Sequence, residues 1–177
     1  MINIINLITL SRILLAPIIL IFIFFENYIT CMLLFVFAGF SDYLDGYMAR
    51  KYEAESELGE ILDPIADKIL IIFILIGLAV NLNSYLVAFL SSVILAREIG
   101  VGALRDYASR NNLHARIKVT FLAKVKTSVQ LFTIGTYLTA LSFNINLLII
   151  ISDILLIIAT LITLYTGFQY TLNLFKK

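Results

Sequence analysis

The chain has little charge, almost no proline and a single cysteine. Only 14% of its 177 residues are charged and 61% are hydrophobic. A soluble domain of this size is usually about half apolar and about a quarter charged. Such a composition excludes intrinsic disorder and a basic nucleic-acid-binding surface. One cysteine, Cys31, cannot close an internal disulfide, which excludes a secreted disulfide scaffold. Two prolines and no apolar–polar alternation argue against a membrane β-barrel. What is present is long apolar runs and a mean hydropathy of +1.00. At roughly 20 residues per crossing, the length accommodates about six transmembrane helices. The expected fold is therefore an all-α integral membrane protein, one domain over residues 1–177, with no room for a soluble domain.

The runs and their breaks place the helices at 7–25, 28–49, 59–80, 85–107 and 117–141, with a sixth from the break at 142–146 to residue 175. The first run is not a signal peptide, because no small-residue cleavage site follows it. Six spans put both termini and the 2–3 and 4–5 connections on one side of the membrane. All thirteen Lys and Arg residues fall on that side. The opposite breaks, at Glu26, at 81–84 and at 142–146, contain none. By the positive-inside rule the basic side is cytoplasmic. Helices 2 to 5 also carry ionisable residues within their cytoplasmic halves, where a charge is costly unless it pairs or lines a wet cavity. A polar chamber open to the cytoplasm is expected.

Four aspartates stand out. Asp42 and Asp45 are i,i+3 neighbours on one helical face, which Gly46 and Ala49 continue; Asp63 and Asp67 are i,i+4 neighbours on the next helix. An antiparallel pairing of these two helices would bring the aspartates together. Four carboxylates crowded in a low dielectric need a counter-charge. Hard divalent cations, Mg²⁺ or Mn²⁺, suit an all-carboxylate set. Gly46 and Ala49 leave room for a large polar ligand against the backbone. A proton-coupled transporter also uses intramembrane acids, but it does not explain the Gly-x-x-Ala-Arg continuation through Arg50.

These residues resemble the signature of the CDP-alcohol phosphotransferases, D-x2-D-G-x2-A-R-x8-G-x3-D-x3-D. The chain matches it at Asp42, Asp45, Gly46, Ala49, Arg50, Gly59, Asp63 and Asp67. The segments Asn6 to Arg12, Leu62 to Lys68, Arg97-Glu98-Ile99, Leu104-Arg105 and Lys124 to Thr127 are similar to the branch of that family that uses glycerol 3-phosphate, with Ala123 where the branch has glycine. The resemblance runs to about Gln130. It implies six transmembrane helices, a homodimer, two divalent ions on the four aspartates, and Asp67 as catalytic base. It also implies CDP-lipid contacts at Asn6, Thr9, Gly46, Ala49, Arg50 and Ser56. The expected reaction moves the phosphatidyl group of CDP-diacylglycerol to sn-glycerol 3-phosphate. Sibling acceptors (serine, inositol phosphate, phosphatidylglycerol), an intramembrane prenyltransferase, the transporter and an inactive scaffold stay open.

A dianionic acceptor needs fixed positive charge. Arg97 and Arg105 are eight residues apart, about 80° around a helix, so both can face one chamber. Lys124 and Lys126 are about 200° apart, so at most one points straight in. Lys124 is favoured, because Thr120 and Thr127 extend a polar stripe on its face. Asp153 reads as a paired structural charge, Cys31 as packing, His114 as a solvated or interfacial loop residue, and Glu53, Glu55 and Glu57 as a solvated loop face.

Overall fold

The computed structural model describes residues 2–51, 57–111 and 121–175. Among these it contains six helices and no strand: α1 (Ile2–Phe24), α2 (Tyr28–Lys51), α3 (Glu57–Asn81), α4 (Tyr85–Arg110), α5 (Phe121–Phe143) and α6 (Asn146–Phe175). Helix 1 starts five residues earlier than the apolar run indicated. Its first turns mix Asn3, Asn6, Thr9 and Ser11 with apolar residues, and Arg12 therefore lies in mid-helix.

The three short turns share one mechanism. Glu26, Asn83 and Asn144 adopt positive φ (56°, 46° and 54°). At the first, Glu26 N–H returns to Ile23 O and Asn27 N–H to Phe22 O; at the second, Asn83 returns to Val80 and Ser84 to Ala79. At the third, Ile145 N–H returns to Ala140 O. A left-handed residue closing the last carbonyls in this way is how helices commonly end, and Asn tolerates that conformation better than most residues. Ser84 then caps α4 by accepting from Val87 N–H at 3.3 Å. Each turn joins its helices as a tight hairpin.

The hairpins assemble into a closed ring in the order α1, α2, α5, α6, α4, α3, with α3 also touching α5 across the middle. Helix 1 packs against both α2 and α3, which share no extensive contact among the described residues. The expected direct pairing of α2 with α3 is thus replaced by α1 lying between them. The core is apolar and includes Ile19, Ile74, Leu78, Ile94, Ile134 and Leu138. Cys31 is fully buried within it, and Asp153 accepts from Tyr137 Oη at 2.5 Å. Cys31 packs as the sequence indicated, whereas the described partner of Asp153 is a neutral hydroxyl and not a counter-charge.

Large apolar side chains also cover the outside, including Leu14, Phe37, Ile76, Phe89, Phe132 and Phe168, one from each helix. An apolar exterior of that extent does not persist in water. Two helices, Tyr85–Arg110 and Asn146–Phe175, are long and apolar enough to cross a bilayer; Thr9–Phe24 and Tyr28–Leu44 are shorter apolar stretches. Together these features describe a membrane protein.

Gly77 sets the closeness of α1 to α3. A Cβ there would stand 2.8 Å from Leu20 Cδ1 and 3.0 Å from Ile23 Cδ1, whereas one at Gly39 would meet nothing within 4 Å. Gly77→Leu is expected to cost about 1–3 kcal/mol through overpacking, seen as a lower melting temperature in detergent. Gly39→Leu should leave it unchanged.

Candidate active site

Three of the four signature aspartates, Asp42, Asp63 and Asp67, meet around a buried cation. The Arg12 side chain is 1% exposed, and its Nη1 donates to Asp42 Oδ1 and, at 2.8 Å, to Asp67 Oδ1. Its Nη2 lies 3.3 Å from Asp63 Oδ1. Thr9, one turn before Arg12, is fully buried and donates to the same Asp63 oxygen at 2.8 Å. The three carboxylates are 43–51% exposed, so they form the open face of a cluster whose floor is Arg12. Helix 1 supplies the floor, α2 supplies Asp42, and α3 supplies Asp63 and Asp67.

Asp45, Gly46, Ala49 and Arg50 continue α2 beyond Asp42, but their side chains lie outside those described, as does that of Asn6 on α1. Ser56 and His114, and with them Glu53 and Glu55, fall outside the described residues altogether. Glu57, read as a loop residue, is the first residue of α3.

Next to the aspartates is a cavity of about 390 Å³ between α3, α4 and α5. Asp67 and Lys68 line it from α3, Arg97, Glu98 and Arg105 from α4, and Lys126, Thr127 and Gln130 from α5. Asp67 therefore belongs both to the cluster and to the cavity wall. Arg97 and Arg105 share the cavity as their spacing predicts. The Lys126 side chain lines it; Lys124 is on α5, with its side chain outside those described.

The cavity's cations are held in place. Glu98, 12% exposed, accepts from Arg97 Nη1 at 3.0 Å and from Lys126 Nζ. Arg97 Nη2 also donates to Thr166 Oγ1 on α6 at 2.7 Å. Arg105 Nη2 donates to Tyr170 Oη at 3.0 Å, and its guanidinium sits 5.1 Å from the Tyr170 ring centroid. A Cβ at Gly167 would stand 3.0 Å from Arg97 Cγ and 3.1 Å from its Nε, so glycine is what lets this arginine lie against α6. The Nε atoms of Arg97 and Arg105 are buried without a hydrogen-bond partner among the described residues. Four cations against two carboxylates leave two positive charges. That is the charge a phosphate monoester dianion neutralises, and fixed guanidinium groups are suited to it.

Sequence reading did not single out Arg12, Lys68 or Glu98 for this site. The signal for Arg12 was available: it is the only charge in an otherwise uncharged helix, and charges inside apolar helices mark function.

The aspartates suit hard divalent ions by donor chemistry, since oxygen ligands from two helices already converge on one cationic group. Among the described residues, no three acids are placed to hold an ion by themselves; Asp45 would be the fourth ligand.

Residues 2–166 match the family described as CDP-alcohol phosphatidyltransferase. The chain is 37% identical over 172 residues to the CDP-diacylglycerol–glycerol-3-phosphate 3-phosphatidyltransferase of Rickettsia felis, covering 95% of this chain and 93% of that protein. It is 36% identical over the same shares to the enzyme of that name from Rickettsia bellii. Against the Yersinia pestis enzyme of the same name it is 31% identical over 140 residues, 79% of this chain and 75% of that one. From the signature aspartates, the adjoining cationic cavity and these likenesses together, the chain belongs to the CDP-alcohol phosphatidyltransferase family.

Proposed function

We propose that this chain transfers the phosphatidyl group of CDP-diacylglycerol to sn-glycerol 3-phosphate, giving phosphatidylglycerophosphate and CMP. Membership of a transferase family removes the transporter and prenyltransferase readings. The relatives' names supply the substrates. The observation that carries the acceptor assignment is Asp67 in the wall of a cavity with an excess of two positive charges. An acceptor whose phosphate rests on Arg97, Arg105 and Lys126 would offer its hydroxyl towards Asp67.

In this reading the Asp67 carboxylate takes the proton of the acceptor hydroxyl as its oxygen bonds the lipid-linked phosphorus. The bond from that phosphorus to the CMP oxygen breaks, and CMP leaves with the electron pair. The family is in general divalent-metal dependent. Asp42, Asp45, Asp63 and Asp67 would hold two Mg²⁺ or Mn²⁺ ions, whose charge offsets that of the diphosphate and of departing CMP. Asn6, Gly46, Ala49, Arg50 and Ser56 would border the CDP-lipid. Thr9 contributes through Asp63, which its hydroxyl holds.

Purified protein given CDP-diacylglycerol, glycerol 3-phosphate and Mg²⁺ should release CMP and form phosphatidylglycerophosphate in equal amounts. CMP release that ignores glycerol 3-phosphate would contradict the acceptor. Gly167→Val should push Arg97 off its seat and raise KM for glycerol 3-phosphate more than that for CDP-diacylglycerol.

The same reading makes the chain a homodimeric inner-membrane protein with six spans, and with both termini and the active site cytoplasmic. The support is the one-sided distribution of Lys and Arg and the three tight turns that carry none of them. Cysteines introduced at Ser84 and Asn144 should react with an impermeant thiol reagent from outside, and buried Cys31 should not interfere. Labelling of either site only from the cytoplasm would sink the topology.

A further inference from the structure

We infer that Arg12 is an internal competitor of the divalent ions: it offsets part of the negative charge of Asp42, Asp63 and Asp67 when no ion is bound and must give up their Oδ1 atoms when ions load. The inference rests on reading those aspartates as metal ligands. Its basis is one guanidinium touching three carboxylates that come from two different helices. Arg12 Nη1 contacts Oδ1 of both Asp42 and Asp67, and Nη2 lies 3.3 Å from Oδ1 of Asp63. An ion held by both halves of the signature would draw on those same carboxylates, with oxygens as its ligands. It would then sit against a cationic nitrogen that already lies within hydrogen-bonding reach of both. The two cations exclude one another by charge as well as by space.

Burial fixes the sign of the effect. Arg12 is 1% exposed while its partners are 43–51% exposed. The arginine therefore gains little from water and depends on the carboxylates, and a buried charge stripped of partners is strongly unfavourable. Ion loading must overcome that loss. The coupling is reciprocal: whatever Arg12 contributes to holding the ion-free cluster together is subtracted from apparent metal affinity. Arg12 has a second consequence for assembly. With ions stripped, it keeps Asp42 on α2 and Asp63 and Asp67 on α3 from repelling one another across α1.

The test is Mn²⁺ binding, followed by electron paramagnetic resonance on the full chain in detergent, for the wild type, Arg12→Gln and Arg12→Lys. Melting temperatures are measured in parallel with chelator and with Mn²⁺. Arg12→Gln should bind Mn²⁺ about tenfold more tightly, the charge repulsion being removed. It should also melt lower than the wild type in chelator and gain more on adding Mn²⁺. Arg12→Lys, which keeps the charge but cannot span three carboxylates, should fall between them. Should Arg12→Gln not be recovered folded, Arg12→Lys decides: tighter binding than the wild type supports the competition. Equal or weaker Mn²⁺ binding by the folded variants would overturn it while leaving the metal site standing. A wild type that binds no Mn²⁺ would overturn both.

Discussion

Asp67→Asn should reduce turnover by about 10³-fold or more, within the range attributed to a positioned general base, while CDP-diacylglycerol still binds. Asparagine matches the shape of aspartate, and the other carboxylates remain as ligands for the ions that would offset the diphosphate. What it loses is the capacity to take the acceptor's proton. Among the described residues, Asp67 is the one signature residue that also faces the cavity, so its loss falls on chemistry more than on nucleotide binding. Asp45→Ala should behave differently, weakening metal and nucleotide binding together. Asp67→Asn turnover near the wild-type rate would show that the base lies elsewhere. Single-turnover kinetics with bound CDP-lipid separate the two effects.

The second large effect is expected at the phosphate cradle. Arg105→Gln and Lys126→Gln should each raise KM for glycerol 3-phosphate by roughly 10- to 100-fold, the equivalent of losing one hydrogen bond to a charged group. KM for CDP-diacylglycerol should not move. The expectation is strongest for Arg105, whose described partner is the neutral Tyr170 hydroxyl, so its full charge is available to a phosphate. Lys126 already shares Glu98 with Arg97. Its removal takes one cation from the cavity and leaves Glu98 to Arg97 and the nearby Lys68. Lys124→Gln, the substitution the helical stripe favoured, is the informative companion. Unchanged acceptor kinetics in both Arg105→Gln and Lys126→Gln would remove the structural reason for choosing a phosphorylated acceptor.

The helices were legible in the sequence because apolar runs alternate with breaks such as 81–84 and 142–146, where Asn supplies the left-handed turn residue. The aspartates were legible because helical spacing alone puts each pair on one face. Ring order was not legible. Nothing in a linear pattern says that α1 lies between α2 and α3, and a direct α2–α3 pairing satisfied the same spacing. Arg12 was passed over for a related reason: the positive-inside rule gave it a sufficient role, and the apolar run that followed hid its position in mid-helix. Of the stripe that favoured Lys124, Thr127 lines the cavity, while Thr120 and the Lys124 side chain lie outside those described. Lys126 and Gln130, four residues apart, mark the face that lines the cavity.

The central claim is that one cavity couples a carboxylate base to a site for a phosphate dianion. Its most direct test is CMP release from CDP-diacylglycerol by the purified chain with glycerol 3-phosphate, serine and inositol phosphate supplied separately. A kcat/KM for glycerol 3-phosphate at least a hundredfold above that for serine is predicted, since a site built around buried cations rejects a ligand that cannot pair them. Equal or greater efficiency with serine would contradict the account.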